Sequence, residues 1–340
     1  MALGCLPSDG PVYAFPACPE RFDKGNWFQK LIFSLEVLYT MSDWDGLTAE
    51  ATPDWLRAMT RLTEEDGDLL PLGDRHWAFF VEQKPVLLVT FEDAGAIRER
   101  EGNLPAHQAL AHSRGWSHLC IISEGETWWR DPAVYRYFDR LVDDGFLEDF
   151  ERVVFYGAGI SGYAAAAYSV ASPGAELLLI APRATMDTSL ARWDDRHLAA
   201  RRLNFTDRYG FAPDMTEGAS KVWLIHDPYN MRDAMHAALF RRPYVTVLNA
   251  PHTGEATEDT LVEMQVLDRL LAAVMDGKLT PYGFARMWRG RRSNASYLRA
   301  ILYTAERSGH PQREVMICRS VTSRLRAPRF QRRLAELTGG

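Results

Sequence analysis

Three glycines, a serine, an aspartate and a histidine are the residues of this chain whose types and spacing point to chemistry. Gly157, Gly159 and Gly162 stand at G-x-G-x-x-G spacing, after the apolar run Val153-Val154-Phe155-Tyr156 and before Tyr163 and the alanine run Ala164 to Ala167. An apolar strand pattern that feeds a glycine-rich turn and then small, helix-favouring residues is a strand-turn-helix unit. Glycines at this spacing permit a tight turn, let the backbone approach a pyrophosphate and place that phosphate on a helix N-terminus. Such a site would hold NADP(H) or FAD and make the chain an oxidoreductase. The fingerprint also asks for an acid about 20 residues further on, at the end of the next strand, to hold the ribose. Here the run Glu176 to Ile180 ends in Ala181-Pro182-Arg183, and Arg183 would suit a 2′-phosphate in its place.

The second chemistry is acyl transfer, because a serine nucleophile in a G-x-S-x-G elbow occupies the same kind of strand-to-helix turn. The run Tyr156-Gly157-Ala158-Gly159-Ile160-Ser161-Gly162-Tyr163 resembles the Tyr-Gly-x-Ser-x-Gly-Gly-Tyr elbow of α/β-hydrolase-fold proteins, in their esterase and acyltransferase branch. The resemblance extends from about Pro85 to Met275. In its frame Gly159 stands where the nucleophile belongs and Ser161 where a glycine belongs. It further implies that Asp227, after Trp223-Leu224-Ile225, is the triad acid, and that His252, after Val245 to Leu248, is the triad histidine, in the order nucleophile, acid, histidine. A serine hydrolase without its serine keeps the pocket and loses the covalent step. The expectation is therefore an α/β-hydrolase-like protein without standard serine-hydrolase activity. Sliding the motif by two residues gives the alternative, an esterase or acyltransferase that uses Ser161 with Asp227 and His252.

Each residue also has an ordinary structural reading. Asp227-Pro228 is a common turn opener, His252 beside Pro251 suits a solvated loop, and Ser161 suits the close contact of helix and strand. The glycines are demanded by a tight turn whether or not a ligand follows. His107 and His112 are five apart and share a helical face poorly, which makes them poor joint metal ligands. Glu124, Glu126, Trp128, Trp129 and Asp131 follow a strand and would rim a pocket or pack under the next helix. Asp194, Asp195, Arg196 and His197 read as a solvated charge run, and Arg183 and Arg192 as surface cations able to meet an anion.

The elements that must position these residues are read from periodicity. Apolar runs at Trp77 to Val81, Pro85 to Phe91, His118 to Ile122, Val153 to Tyr156, Leu177 to Ile180, Val222 to Ile225 and Val245 to Leu248 predict strands. Helical patterns at Asn26 to Met41, Trp55 to Thr63, Tyr135 to Leu147, Arg232 to Phe240 and Leu261 to Met275 alternate with them. The alternation predicts an α/β fold: a mostly parallel, doubly wound sheet with helical additions at both ends. Residues 1–75 form a lead-in with helices, 76–278 the core, and 279–340 an arginine-rich helical extension.

Composition bounds the reading. The chain has 340 residues, is 46% hydrophobic and 25% charged, and carries a net charge of −6, which suits a globular protein with a large core. Residues 281–340 hold thirteen arginines, no lysine and three acids, a balance of +10 against −16 for the remainder. These arginines, interleaved with Trp288, Tyr297 and Tyr303, suit nucleic acid or an anionic membrane face. Docking on the acidic body is the preferred reading, so nucleic acid is not expected as a partner and a small-molecule ligand is. Cys5, Cys18, Cys120 and Cys318 show no metal-ligand spacing and read as reduced thiols of a cytoplasmic chain. No metal is expected. No stretch reaches the ~20 apolar residues of a membrane span.

Overall fold

The computed structural model describes residues 54–64, 66–83 and 85–339. The helix expected over Asn26 to Met41, the lead-in before it, Cys5 and Cys18 lie outside these residues. Helix α1 (Asp54–Thr63) precedes the hairpin β1 (Gly67–Leu72) and β2 (His76–Val81). Then come β3 (Val86–Asp93), α2 (Ala94–Glu99), α3 (Gln108–Arg114), β4 (Ser117–Ser123), α4 (Pro132–Asp143), β5 (Arg152–Ala158) and α5 (Gly159–Tyr168). The second half follows with β6 (Glu176–Ile180), β7 (Lys221–His226), α6 (Met231–Leu239), β8 (Val245–Asn249), α7 (Thr257–Glu263) and α8 (Leu267–Met275). Four more helices end the chain: α9 (Pro281–Trp288), α10 (Ala295–Arg307), α11 (Pro311–Thr322) and α12 (Pro328–Thr338).

The strands form one eight-stranded sheet in the order β1-β2-β4-β3-β5-β6-β7-β8. β2 runs antiparallel to both β1 and β4, and every other neighbouring pair is parallel. Parallel strands need crossovers, and crossovers put helices on both faces, which is why the central strands read as unbroken apolar runs. On one face Leu88, Val154, Leu178 and Trp223 pack with Leu270 and Leu271 of α8. On the other, Phe91, Phe138 and Tyr168 stack, with the last two rings 4.3 Å apart. Ala164 to Ala167 are all fully buried, and their small side chains let α5 lie close against the sheet.

The chain leaves β3 for β4 and then returns to place β5 on the opposite side of β3. The strand order therefore reverses between β3 and β5, and such a reversal opens a crevice at the carboxyl ends of the strands. Gly159 lies at the carboxyl end of β5, so the glycine turn is placed at this switch point. No helix among the described residues is long and apolar enough to cross a membrane.

Some elements depart from the sequence reading. β1 contains Pro71, which argues against a strand, but β1 is the sheet edge, where a missing N–H is tolerated. The helix expected from Leu261 is two helices, α7 and α8, separated at Gln265, which has a φ of +54°. The C-terminal helices do dock, but through apolar contacts. Phe284, Trp288 and Tyr297 join the core under β8 and α8, and Leu298, Leu302, Cys318, Val321 and Phe330 form a small core of their own. Among the described residues no arginine of 281–340 pairs with a carboxylate of the body. All three acids of that segment, Glu306, Glu314 and Glu336, converge on Arg333.

Candidate functional site at the carboxyl ends of the strands

Two of the three glycines are required by the turn itself. A Cβ on Gly157 would lie 2.3 Å from the carbonyl oxygen of Ser161, because the first turn of α5 folds back over the end of β5. A Cβ on Gly162 would lie 3.1 Å from both the Gly157 oxygen and Pro182, the residue after β6. Neither position needs a pyrophosphate to explain it. Gly159 differs: it has a φ of +57°, and nothing lies within 4 Å of where its Cβ would be. It is the tip of the turn, it faces open space, and its carbonyl accepts from the Arg183 amide at 3.1 Å. Ala158 stands at the N-cap and offers no side-chain acceptor, so no side chain caps the first-turn amides of α5.

Ser161 is half-buried in the first turn of α5. At about 100° per residue it lies roughly 200° around the helix axis from Gly159. Asp227 follows β7 and is 2% exposed. One of its carboxylate oxygens accepts from the Tyr229 amide at 2.9 Å, and the other from the Gly254 amide at 2.8 Å. The fold thus ties Asp227 to the loop that carries His252, through backbone rather than imidazole. His252 has a φ of +66° and lays its ring flat on Tyr229 at 4.6 Å.

Arg183 is not a free surface cation. It is 8% exposed, and its guanidinium donates to Asp233 at 2.9 Å. The charge run around Asp194 is solvated only at Asp195, because Asp194 is fully buried and Arg196 is 10% exposed at its side chain. Arg196 grips Asp194 and also reaches Asp233 at 2.7 Å, while His236 sits 2.9 Å from Asp194. The other ring nitrogen of His236 accepts from the Ala184 amide at 3.1 Å, so the nitrogen facing Asp194 carries the proton. Burial alone would raise the Asp194 carboxyl, but the His236 N–H and Arg196 outweigh it and hold the group well below the carboxylate range. Burial, opposed by Asp194, keeps His236 below the usual histidine range.

This network joins four segments: the exit of β6, the long connection to β7, the start of α6 and, through Arg196 and Glu255 at 3.4 Å, the His252 loop. Its sequence signal was the i, i+3 pair Asp233 and His236, which share a helical face. Their partners lie about forty and fifty residues away in the chain, beyond the reach of local pattern.

A second buried group lies on the face of the sheet that carries Tyr156. The Tyr156 hydroxyl donates to Glu258, and the His107 ring meets Tyr156 edge-on at 4.7 Å. Glu92, at the end of β3, accepts from Arg100 and from the Ala106 amide. Burial raises the carboxyl pKa of both Glu92 and Glu258. His112 instead bonds Gln83, apart from His107, and no cluster able to hold a metal occurs among the described residues. Trp128 and Trp129 are buried, their indole N–H groups donating to Glu126 and to the Ile121 carbonyl.

No family model matches the chain, and no curated protein matches it. Among solved structures it is similar to Est1E from Butyrivibrio proteoclasticus, with 13% identity over 63% of this chain and 100% of that one and a TM-score of 0.41. It is similar also to the capsule O-acetyltransferase of Neisseria meningitidis serogroup A (9% identity, 62% and 99% covered, TM-score 0.39). A third is carboxyl esterase 2 from Tuber melanosporum (11% identity, 63% and 88% covered, TM-score 0.41). The eight-stranded, mostly parallel order with its antiparallel β2 and flanking helices gives this chain an α/β-hydrolase-like fold.

Proposed function

We propose that this α/β-hydrolase-like protein binds a small-molecule ligand over Gly159 without forming a covalent acyl intermediate. The observation that carries the reading is Gly159 itself. It holds the positive φ and the open space of an elbow tip and has no side chain there. The surroundings support the same reading. Asp227 has both carboxylate oxygens engaged by backbone amides, and His252 stacks on Tyr229, so these two residues form no hydrogen-bonded relay with each other. First-turn amides of α5 without a side-chain cap suit the carbonyl or anionic group of a ligand.

The native protein is expected to resist fluorophosphonate labelling and to leave short acyl esters intact. Gly159→Ser is expected to stay unlabelled as well, because His252 is held on Tyr229 and Asp227 on backbone amides, and to cost about 1–2 kcal/mol for a non-glycine residue at positive φ. Labelling of the native chain that disappears in Ser161→Ala would overturn the proposal and make Ser161 the nucleophile. Dinucleotide binding has a separate test, since a bound ligand at a hundred times its Kd adds about 2.7 kcal/mol of stability. No thermal shift with NADPH or FAD is expected.

A further inference from the structure

We propose that the arginine surface of α9 to α12 binds single-stranded nucleic acid. Two adjoining clefts, of about 570 and 400 Å3, share Arg291 and Arg292. One runs between α10 and α11 to Arg324, and the other runs past Trp288 to the exposed edge of β8. No acid lines either cleft. Arg291 lies over the Trp288 ring at 5.4 Å, and the buried indole N–H of Trp288 has no acceptor. The Trp288 ring itself is buried, so the clefts offer arginine donors without acids beside them, which suits a ligand rich in anionic acceptors.

The surface beyond the clefts repeats this pairing. Arg286 lies over Tyr282 at 6.0 Å, and Arg307 lies over Tyr303 at 5.7 Å. These two tyrosines are 72% and 54% exposed, so each leaves ring surface open to solvent. Exposed aromatic rings beside arginines are stacking platforms for unpaired bases, while the guanidinium groups follow the phosphates. Arg333 takes all three acids of the segment, and its other twelve arginines make no ion pair among the described residues. The expectation against nucleic acid rested on docking of these helices on the acidic body; they dock through apolar residues, and among the described residues none of their arginines makes an ion pair with a carboxylate of the body. An anionic membrane face fits less well, because insertion needs an apolar helix stripe. The apolar residues Leu298, Leu302, Val321 and Phe330 of these helices are already buried against one another.

The test is fluorescence anisotropy of the full chain with a labelled oligothymidylate across a salt series. Affinity is expected to fall with salt, with a log–log slope of about −0.7 per phosphate contact. Arg291→Glu, Arg292→Glu and Arg324→Glu combined are expected to weaken binding at least ~10-fold and to flatten the slope, whereas the same three changed to Lys retain the slope. Tyr282→Ala and Tyr303→Ala are each expected to weaken binding ~5-fold or more, the effect of losing one stacked base. Circular dichroism of each variant separates loss of binding from loss of fold. The proposal fails if the native chain ignores the oligonucleotide at low salt, or if the triple Glu variant is folded and binds as well as native. It also fails if phosphatidylserine vesicles are bound and the oligonucleotide is not, or if the tyrosine variants bind undiminished.

Discussion

Arginine performs different work in the two parts of this molecule. In the body, Arg98, Arg100, Arg130, Arg152, Arg183 and Arg196 each engage a carboxylate. In residues 281–340 only Arg333 does so among the described residues. The difference arises from the supply of acids and from burial. The body carries an excess of acids, and at Asp194 and Asp233 it buries them, so an arginine there satisfies charges that would otherwise be stranded in the interior. The tail has three acids for thirteen arginines and folds by burying Trp288, Tyr297, Leu302 and Phe330 instead. Equal charges can therefore fix a scaffold in one region and stay open to solvent in another.

The largest effects are expected where this contrast is sharpest. Arg196→Ala leaves Asp194 and Asp233 buried with weakened partners and is expected to cost about 3–5 kcal/mol in urea unfolding. A cost below ~1 kcal/mol would mean that the network is not a scaffold. Trp288→Ala removes a buried ring from the contact that docks the tail and is expected to cost about 3–5 kcal/mol. If it left stability unchanged, the tail would be held by something other than apolar burial.

Acid should weaken the body and leave the tail's arginines unaffected. Burial, opposed by Asp131, pushes His76 down to about 4; burial with Arg100 pushes His107 down to about 4; burial with His107 pushes His118 down to about 3. A lowered pKa in the folded chain means that the unfolded chain takes up protons first. Stability from these groups is complete above about pH 6.5 and declines as the pH falls toward the folded values. Urea titrations between pH 7 and pH 4 should show the decline, and His118→Gln should make it shallower. The smallest effect is expected for the unpaired arginines: Arg329→Ala should move the melting temperature by an amount equivalent to less than ~0.5 kcal/mol. A large loss there would reveal a partner for Arg329 and weaken the comparison.

Much of the architecture was legible in local pattern. The runs Val86 to Val89 and Leu177 to Ile180 are too apolar for any place but a sheet covered on both faces, and they are strands. The turn at Gly157 to Gly162 was legible because steric exclusion acts between residues four apart in the chain, as Gly157 and Ser161 demonstrate. β1 escaped because Pro71 is unfavourable in a strand except at an edge, and edge position is not a local property. The surroundings of the elbow were less legible. Arg183 read as a surface cation, and Asp194 and Arg196 as part of a solvated charge run, since nothing in their spacing indicates burial.

The sequence by itself determined the alternation of strands and helices, the conformation of the elbow and the absence of a side chain at Gly159. Each follows from backbone sterics or from the period of apolar residues, which act over a few positions. Only the tertiary structure decided which charges are paired. It carried Asp194 to His236 and Arg183 to Asp233, set Asp227 on the Gly254 amide of the His252 loop, and gave Arg333 alone among the tail's arginines an ion pair within the described residues. An ion pair is fixed by distance and by the loss of water around it, and for Asp194–His236 and Arg183–Asp233 both arise only when segments 42 and 50 residues apart are packed together.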